Sequence, residues 1–384
     1  MEAGGYRFGS GMMCVLLFML AGYPFELQAV EQAGHTPAQR HRLIAVGDIM
    51  LSGSAAAVFK VKGYSHAFRD RSLAKITSRA DASFGNLEYP ITRSGFPFQD
   101  KKYTFRGPAE SLNAIKAAGF DLLSLANNHI MDYGLQGLTD TIRQCKRNKL
   151  VCAGAGTDLA SASSPGILAR RGIRYGLLAY SMTFPEEFWA TQDRPGTAHP
   201  DWAQVGNDIR DLRLKVDILV VSFHWGEELR IEPKKYQVDY AHYAIASGAD
   251  MVVGHHPHVP QPVEIYEGKP IFYSLGNYAF GSFSKNTTFG ITAEIRFLGT
   301  TPEQIILYPL DVHRQEGFFS PRLARGRSAD GIVAHLQKIS ESFGTVIENR
   351  DGVGKIQLPP PKAPVTAGPD TAGKRAPHPE LCIR

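Results

Sequence analysis

The 384-residue sequence predicts an α/β fold that contains a substantial parallel sheet. Short apolar runs rich in β-branched residues alternate with segments whose apolar residues recur at helical spacing. Alternating strands and helices are typical of α/β domains, in which the connecting helices make neighbouring strands parallel. A further observation is that several of the apolar runs end on acids, amides or histidines, which are residues able to carry chemistry.

The predicted elements follow in order along the chain. Strands are predicted at 43–50, 82–88, 120–125, 173–180, 217–223, 251–253 and 271–275. Helices are predicted at 67–80, 108–118, 134–147 and 233–246. Pro108 suits a first helical turn, and Gly248 suits the cap after the fourth helix. The closely spaced runs 291–297 and 303–313 predict antiparallel edge strands, and 331–348 predicts a final helix.

The two ends of the chain differ from the middle in composition. Residues 12–21 are uniformly apolar, Arg7 precedes them, and Leu27-Gln28-Ala29 resembles a cleavage site, so residues 1–29 predict a signal peptide. A buried or anchoring segment is the alternative. We then expect a linker at 30–41, the main domain at 42–315, a helical extension at 316–357 and a disordered Pro-rich tail at 358–384. The expected location is the periplasm or cell surface, either free or held by an uncleaved N-terminal segment.

The net charge and the cysteine content narrow the possible functions only slightly. The net charge of +5 comes from 42 basic and 37 acidic residues spread along the chain, which disfavours a nucleic-acid partner. Cys145 and Cys152 lie either side of a predicted turn. A disulfide between them and a pair of buried thiols are both compatible with the sequence.

Polar residues at strand ends predict a single functional site. In parallel sheets, ligands bind beyond the carboxyl ends of the strands. The residues at these positions are Asp48, Glu88, Asn127, Asn128, His129, His224, His256 and His258. Each alone has an ordinary alternative as a helix cap, a turn residue or an exposed strand end. Their occurrence on five strand ends favours a shared site.

The chemistry of this set indicates a metal centre. Carboxylates, an amide oxygen and imidazoles form a mixed ligand set that suits Zn²⁺, Mn²⁺ or Fe rather than Ca²⁺. Six or more ligands exceed the needs of one tetrahedral ion, and two ions about 3.5–4 Å apart would use them all. His129 is predicted to protonate a leaving group, and Asp132 to orient its imidazole.

The motifs resemble those of the CapA/PgsA family over residues 43–312. They are Gly47-Asp48-Ile-Met, Gly85-Asn86-Leu87-Glu88, Asn127-Asn128-His129-x-x-Asp132-x-Gly134, His224-Trp225-Gly226-x-Glu228, Gly254-His-His-Pro-His258-x-x-Gln261-x-x-Glu264, and Tyr273-Ser-Leu-Gly-Asn277 with Phe280. Proteins of this family are linked to poly-γ-glutamate capsule synthesis and export, and they look like a branch of the calcineurin-like metallophosphatases. The resemblance implies a four-layer α/β/β/α sandwich.

The resemblance also implies roles for individual residues. Asp48 would be the aspartate of the first metal, and Glu88 the bridging acid. Asn128 and His129 would match the phosphatase Asn-His pair as ligand and general acid. The histidine ligands would be His224, His256 and His258.

One position departs from the phosphatase pattern. Met50 stands where those enzymes carry a histidine. The site would therefore be mononuclear, loosely dinuclear, or completed by Glu228 or His255.

The substrate and the type of activity remain alternatives at this level. The segment Lys101-Lys102-Tyr103 with Arg106 is either a solvated face or a cradle for a polyanion, in which Arg106 would pair with a carboxylate. Asn127 and Asn277 are further predicted substrate contacts. One hypothesis is an exported metal-dependent hydrolase of an amide or phosphoester bond in an envelope polymer. The others are a non-catalytic accessory subunit of a membrane synthesis and export complex, and a simple polyanion-binding module.

Overall fold

A computed structural model describes residues 39–280, 287–312 and 319–358. The strands within these ranges are β1 (Arg40–Met50), β2 (Ala82–Leu87), β3 (Leu122–Ser124), β4 (Val151–Ala153), β5 (Ala155–Gly156), β6 (Gly166–Arg170), β7 (Ile173–Ser181), β8 (Gly196–Thr197), β9 (Ile218–His224), β10 (Met251–His255), β11 (Val263–Tyr266), β12 (Lys269–Phe272), β13 (Asn277–Phe280), β14 (Phe289–Leu298), β15 (Thr301–Asp311), β16 (Arg322–Leu323), β17 (Glu348–Arg350) and β18 (Val353–Gln357).

The α-helices lie mostly between strands. They are α1 (Ala56–Lys62), α2 (Arg71–Ser78), α3 (Ala109–Ala117), α4 (Gly134–Arg147), α5 (Leu159–Ala162), α6 (Trp202–Arg213), α7 (Lys235–Ala246) and α8 (Gly326–Ser340). None of these described helices combines the length and apolar character needed to cross a bilayer. The predicted signal peptide, most of the predicted linker and nearly all of the predicted Pro-rich tail lie outside the described residues.

Three apolar clusters organise the elements into four layers. The ten-stranded and six-stranded sheets pack face to face through side chains such as Phe84 on β2 and Val220 on β9. The outer face of the larger sheet is covered by α1 to α4, and the outer face of the smaller sheet by α6 and α7. The predicted α/β/β/α sandwich is therefore confirmed. Each sheet is buried on both faces, which explains its continuous apolar strands.

The sheet topology places parallel strands at the centre. β1 to β4 are parallel neighbours in the larger sheet, and β7, β9, β10 and β12 are parallel in the smaller one. β14 and β15 are antiparallel, as predicted, but their predicted edge position is wrong. β14 pairs with β1 through Leu43 and Ile295, and β15 pairs with β18, so both lie inside the sheet. The β17–β18 hairpin adds the outer strands.

Two predicted helices have different bounds in the structure. The helix predicted at 67–80 begins only at Arg71, because the Asp70 side chain accepts hydrogen bonds from Ser72 N and Leu73 N and caps the helix there. The helix predicted at 331–348 is α8, followed by a short 3₁₀ turn that ends at the left-handed Gly344. Residues 316–357, predicted as a helical extension, also contain the strands β16 to β18, which pair in the larger sheet.

The cysteine alternatives are resolved at the end of α4. Cys145, in the last turns of the helix, forms a disulfide with Cys152 on β4. The disulfide joins the outer helical layer to the strand that follows it.

Gly254 on β10 provides a test of how closely the strand ends pack. A Cβ atom at this position would lie 1.9 Å from the carbonyl oxygen of Tyr273 and 2.5 Å from Trp225 Nε1. We expect Gly254→Ala to destabilise the fold by about 1–3 kcal/mol, the usual cost of overpacking, measured by chemical denaturation.

The matched control is Gly331→Ala in the interior of α8, where a Cβ atom meets nothing within 4 Å. We expect this variant to be neutral or to stabilise the fold by roughly 0.5–1 kcal/mol, because alanine favours the helix. Equal stability of the two variants would contradict the packing argument.

Candidate metal centre

The centre lies where strand ends from both sheets converge. Asp48 lies near the end of β1, and Glu88 directly follows β2. His224 ends β9, while His256 and His258 follow β10. The strand registers bring Asp48 opposite Asn86 and His224 opposite His255, so the polar ends of each sheet are level with one another. The structure thus brings together residues that are up to 210 positions apart in sequence.

Two groups of side chains have the spacing of metal ligands, and Glu88 belongs to both. One group is Asp48, Glu88 and His224, and the other is Glu88, His256 and His258, with ligand atoms within 4.8 Å of one another in each group. Glu88 Oε1 lies 3.7 Å from His224 Nε2 and 3.8 Å from His258 Nε2. The same carboxylate is therefore within reach of both groups.

The electrostatics of the two carboxylates favour a bound cation. Asp48 and Glu88 are fully buried. Burial and the neighbouring Asp48 charge raise the pKa of Glu88 well above its usual value. Burial also acts on Asp48, but hydrogen bonds with His255 and His258 outweigh it and bring the pKa of Asp48 well below its usual range. Two buried carboxylates of like charge are costly unless a positive charge lies between them.

Two of the imidazoles, those of His224 and His256, are in the form that binds metals, whereas at His258 burial is outweighed by the Asp48 carboxylate, which raises the pKa of that imidazole. Burial lowers the pKa of His224 well below its usual value and lowers that of His256 to about 3. Neutral imidazole is the form that ligates metal ions. Within the described residues, His256 Nδ1 and Glu88 Oε1 are buried atoms that lack a hydrogen-bond partner. These unpaired atoms and the mixed nitrogen and oxygen donors fit Zn²⁺, Mn²⁺ or Fe.

The backbone after β10 is strained where it presents the histidines. His256 has a φ of 95° and His258 a φ of 59°, both in the left-handed region that residues other than glycine rarely adopt. Such conformations cost roughly 1–3 kcal/mol each and persist only when the surroundings enforce them. Part of that enforcement is visible, because His256 N donates to Asp48 Oδ2 over 3.2 Å.

Asn128 and His129, the predicted Asn-His pair, lie in the loop that follows β3. Asn128 Oδ1 lies 3.0 Å from His224 Nε2. His129 Nδ1 lies 2.7 Å from Asp132 Oδ2, so the carboxylate orients the imidazole. The backbone N–H of Phe105 also donates to Asp132, and the Phe105 ring lies 4.7 Å from the His129 ring. The His129–Asp132 dyad is therefore rigid and adjoins the two ligand groups through Asn128.

The predicted substrate contacts occupy three different environments. Arg106 is exposed, with its guanidinium over the Tyr133 ring at 4.5 Å. Asn277 is buried, and its Oδ1 lies 3.0 Å from His258 Nδ1, so it orients one of the candidate ligand histidines. Asn127 is also fully buried, and both ends of its amide are bound by the protein, a position that differs from the predicted substrate contact.

The residues considered as replacements for the missing histidine lie outside the two ligand groups. Met50 is buried in the apolar cluster between the larger sheet and its helices. His255 Nδ1 lies 3.1 Å from Asp48 Oδ1, while its Nε2 is buried without a hydrogen-bond partner. Glu228 lines the cleft beside the centre.

An open cleft of about 610 Å³ adjoins the centre and gives it access to solvent. Asn128 and His256 form the part of its wall that belongs to the centre. The rest of the wall carries both charges and aromatic rings, and includes Phe184, His199, Glu228, Lys234 and Tyr236. Phe184 is 70% exposed and lines this cleft.

Two residues of the centre were not among the predicted site residues. Asn86 is buried, with its Nδ2 2.9 Å from Asp48 Oδ1 and 3.2 Å from Glu88 Oε2. Asn86 lies two residues before Glu88 in a strand pattern, so both side chains are on the same face, and this spacing could have identified it from sequence.

Lys101 is the second such residue. Its Nζ hydrogen-bonds Asn128 O, lies 2.9 Å from His129 Nδ1 and forms a 2.6 Å ion pair with Asp132. Nothing in the sequence distinguishes Lys101 from the exposed Lys102.

Comparisons with known proteins agree with these motifs. The family model described as bacterial capsule synthesis protein PGA_cap matches residues 42–282. The "Capsule biosynthesis protein CapA" of Bacillus anthracis is 31% identical over 353 residues, which cover 90% of this chain and 84% of the relative. The "PGA biosynthesis protein CapA" of Bacillus subtilis (strain 168) is 32% identical over 270 residues, 70% of each chain. A solved 5'-nucleotidase precursor from Thermus thermophilus aligns with a TM-score of 0.42 and 15% identity, covering 71% of this chain and 54% of that one.

Glu88 allows the shared-ligand geometry to be tested. We expect Glu88→Ala to weaken Mn²⁺ binding at both groups by at least about tenfold, because each loses the same carboxylate. The double variant His256→Ala, His258→Ala should abolish one group and leave the other. Metal content and affinity would be measured on the full chain by elemental mass spectrometry and calorimetry.

Glu264→Gln is the matched control for Glu88, since it is a second buried glutamate whose carboxylate contacts His242 and Tyr273 instead. It should bind Mn²⁺ as the wild type does. Unchanged metal content in Glu88→Ala would show that the shared ligand is wrongly assigned.

The neighbouring lysines 101 and 102 allow a second test. Lys101→Met leaves the buried Asp132 without its cationic partner, and we expect a destabilisation on the order of 3 kcal/mol in chemical denaturation. Lys102→Met changes an exposed side chain over the Tyr103 ring and should stay within about 0.5 kcal/mol of the wild type. Equal effects of the two substitutions would disprove the structural role of Lys101.

Proposed function

The chain belongs to the bacterial capsule synthesis protein PGA_cap family, and we propose that it acts in the biosynthesis or export of poly-γ-glutamate through a metal-dependent hydrolase-type site. The membership confirms the family resemblance of the sequence motifs. The observation that carries the hydrolase proposal is the sharing of Glu88 by two potential ligand groups beside the His129–Asp132 dyad.

Each part of the centre has a chemical role in this proposal. Asp48, Glu88, Asn128, His224, His256 and His258 would hold one or two divalent ions of Mn, Zn or Fe. Such ions supply Lewis-acid chemistry and a nucleophile at neutral pH when bound. The protein's own residues then have to bind the polymer, orient the bond to be cleaved and move a proton to the leaving group.

His129 is the residue we assign to proton transfer. Its Nδ1 is held by Asp132, so exchange with a substrate takes place at Nε2. Burial lowers the pKa of His129, and the Lys101 charge adds to this effect while Asp132 opposes it. The neutral imidazole is thereby favoured, which suits a group whose Nε2 first accepts a proton from the attacking water and then delivers it to the leaving group.

The cleft suits a polymer that carries both amide bonds and carboxylates. Lys234, which is ion-paired with Glu227, supplies a partly exposed ammonium, Tyr236 supplies an aromatic ring, and Asn128 and His256 line the same cleft. Its volume of about 610 Å³ lies within the range of small-molecule pockets, about 300–1,000 Å³. The exposed Lys102 and Arg106 belong to the loop that contains Lys101, and they offer further contacts for a polyanion.

The disulfide supports an exported location. Disulfides persist in the periplasm and at cell surfaces, and are rare in the reducing cytosol. The Cys145–Cys152 pair therefore agrees with the signal peptide predicted for residues 1–29. We propose that the mature protein acts on the outer side of the cytoplasmic membrane, near a membrane synthesis and export complex.

A non-catalytic accessory role is the alternative, and one observation favours it. Met50 replaces the third first-motif ligand of the phosphatases, and in this structure neither His255 nor Glu228 joins the ligand groups. A centre with one ligand fewer would still bind a metal ion and an anionic polymer. In that case the cleft would hold the polymer during export without cleaving it.

The full chain loaded with Mn²⁺ should shorten poly-γ-glutamate, with chain length followed by mass spectrometry. His129→Gln removes proton transfer without touching the ligand groups, and we expect a rate loss of roughly 10²–10⁴-fold at unchanged metal content. His242→Gln, which changes a histidine paired with Glu264, should keep the wild-type rate. Polymer binding without cleavage by the metal-loaded wild type would favour the accessory role, and neither binding nor cleavage would reject the proposal.

A further inference from the structure

The buried Asn127 has only one possible amide orientation. Its Nδ2 lies 2.8 Å from the carbonyl oxygen of Leu87, and its Oδ1 lies 3.1 Å from the backbone nitrogen of His129. A carbonyl oxygen only accepts and a backbone N–H only donates, so these two backbone groups determine which end of the amide is which. The second N–H of Asn127 then points to Asn86, 3.0 Å away.

The orientation of Asn127 determines the orientation of Asn86. Because Asn127 presents a donor, the atom of Asn86 that meets it must be the acceptor Oδ1. The Nδ2 of Asn86 is consequently turned to the metal centre, where Asp48 Oδ1 is 2.9 Å away, Glu88 Oε2 3.2 Å and His224 Nδ1 3.3 Å. An amide nitrogen has no lone pair to offer a metal ion, so Asn86 faces the centre as a donor and not as a ligand.

We propose that Asn127 and Asn86 form a positioning relay that holds the carboxylates of Asp48 and Glu88 at the spacing needed by a metal ion. This inference rests on the metal centre of the proposed function. A single amide group donates to one oxygen of each carboxylate and so sets the separation of two groups that would otherwise repel each other. The backbone hydrogen bonds of Asn127 transmit the rigidity of β2 and of the loop after β3 to that amide.

Asn127 and Asn86 both act to position the carboxylates, but they lie at different distances from the metal centre. Asn86 touches the ligand carboxylates, whereas every polar contact shown for Asn127 is to Asn86 or to the backbone. Both side chains are fully buried, so neither contacts a substrate directly. Groups that orient ligands commonly change metal affinity by about 10–100-fold when removed.

The test is a double-mutant cycle on the full chain, with Mn²⁺ affinity measured by calorimetry. We expect Asn86→Ala to weaken binding by about 10–100-fold, and Asn127→Ala to weaken it by at least about fivefold through the freed Asn86 amide. The double variant should match Asn86→Ala within about twofold, because the two residues act in series. A purely structural role would make the two losses add.

Two further variants separate folding from positioning. Asn127→Ser keeps an acceptor for the His129 N–H but does not reach Asn86, so it should reproduce the affinity loss in a protein with near-native thermal stability. Ser83→Ala is the matched control, because Ser83 is a buried polar residue on the same strand as Asn86, β2, and its Oγ has no hydrogen-bond partner among the described residues. Its Mn²⁺ affinity should equal that of the wild type.

The possible results show whether the relay alone is wrong or whether the metal centre itself is wrong. The relay would be overturned, and the metal centre left intact, if both Asn127 variants bound Mn²⁺ with wild-type affinity. Tighter binding, with the Asn86 oxygen free to act as a ligand, would overturn it as well. A wild-type chain that binds no Mn²⁺ would overturn the metal centre and the relay with it.

Discussion

The burial of Asp48 and Glu88 side by side is the constraint on which the rest of the structure depends. Two carboxylates without solvent require positive charge or hydrogen-bond donors, and the protein surrounds them with donors and imidazoles. Asn86 donates to each carboxylate, His255 and the His256 backbone N–H contact Asp48, and imidazoles from two strands lie near Glu88. The unpaired Glu88 Oε1 remains available to a cation. The strained backbone at His256 is understandable as a cost of this arrangement.

The four-layer architecture makes this arrangement possible. β1 and β2 belong to the larger sheet, while β9 and β10 belong to the smaller one, and the centre collects residues from all four carboxyl ends. The apolar contact between the sheets, with Phe84 and Val220 among its members, holds these ends at a constant separation. Glycines at the strand ends permit the close approach, as at Gly254, where any side chain would collide with the Tyr273 carbonyl. The rigidity of the core is thereby transmitted to the ligand positions.

Three sets of residues around the centre correspond to the three tasks of the proposed function. In that function the carboxylates and imidazoles would hold cations, the His129–Asp132 dyad with Lys101 would transfer a proton, and the cleft with Lys234 and Phe184 would receive a ligand. The dyad is connected to the metal ligands by sequence adjacency, since Asn128 precedes His129. The cleft connects to them through the side chains of Asn128 and His256. An anionic amide polymer passing through the cleft would meet all three sets in turn.

The sequence by itself determined the α/β class, the parallel strands, the helix 134–147 and, through its motifs, the family and the identity of the ligand candidates. These are local properties, since periodicity, strand-end residues and motif spacing can be read within short segments. The edge position of β14 was mispredicted because it depends on pairing with β1, which is far away in the chain. The last helix ends at Ser340 and not at 348. The burial of Asn127 against Asn86 likewise depends on a residue outside its own segment. Lys101 and Lys102 are adjacent lysines that the sequence does not distinguish. The fold buries Lys101 against Asp132 and leaves Lys102 exposed to solvent. The disulfide, the sharing of Glu88 and the orientation of Asn86 likewise followed from three-dimensional distances, which sequence spacing does not contain.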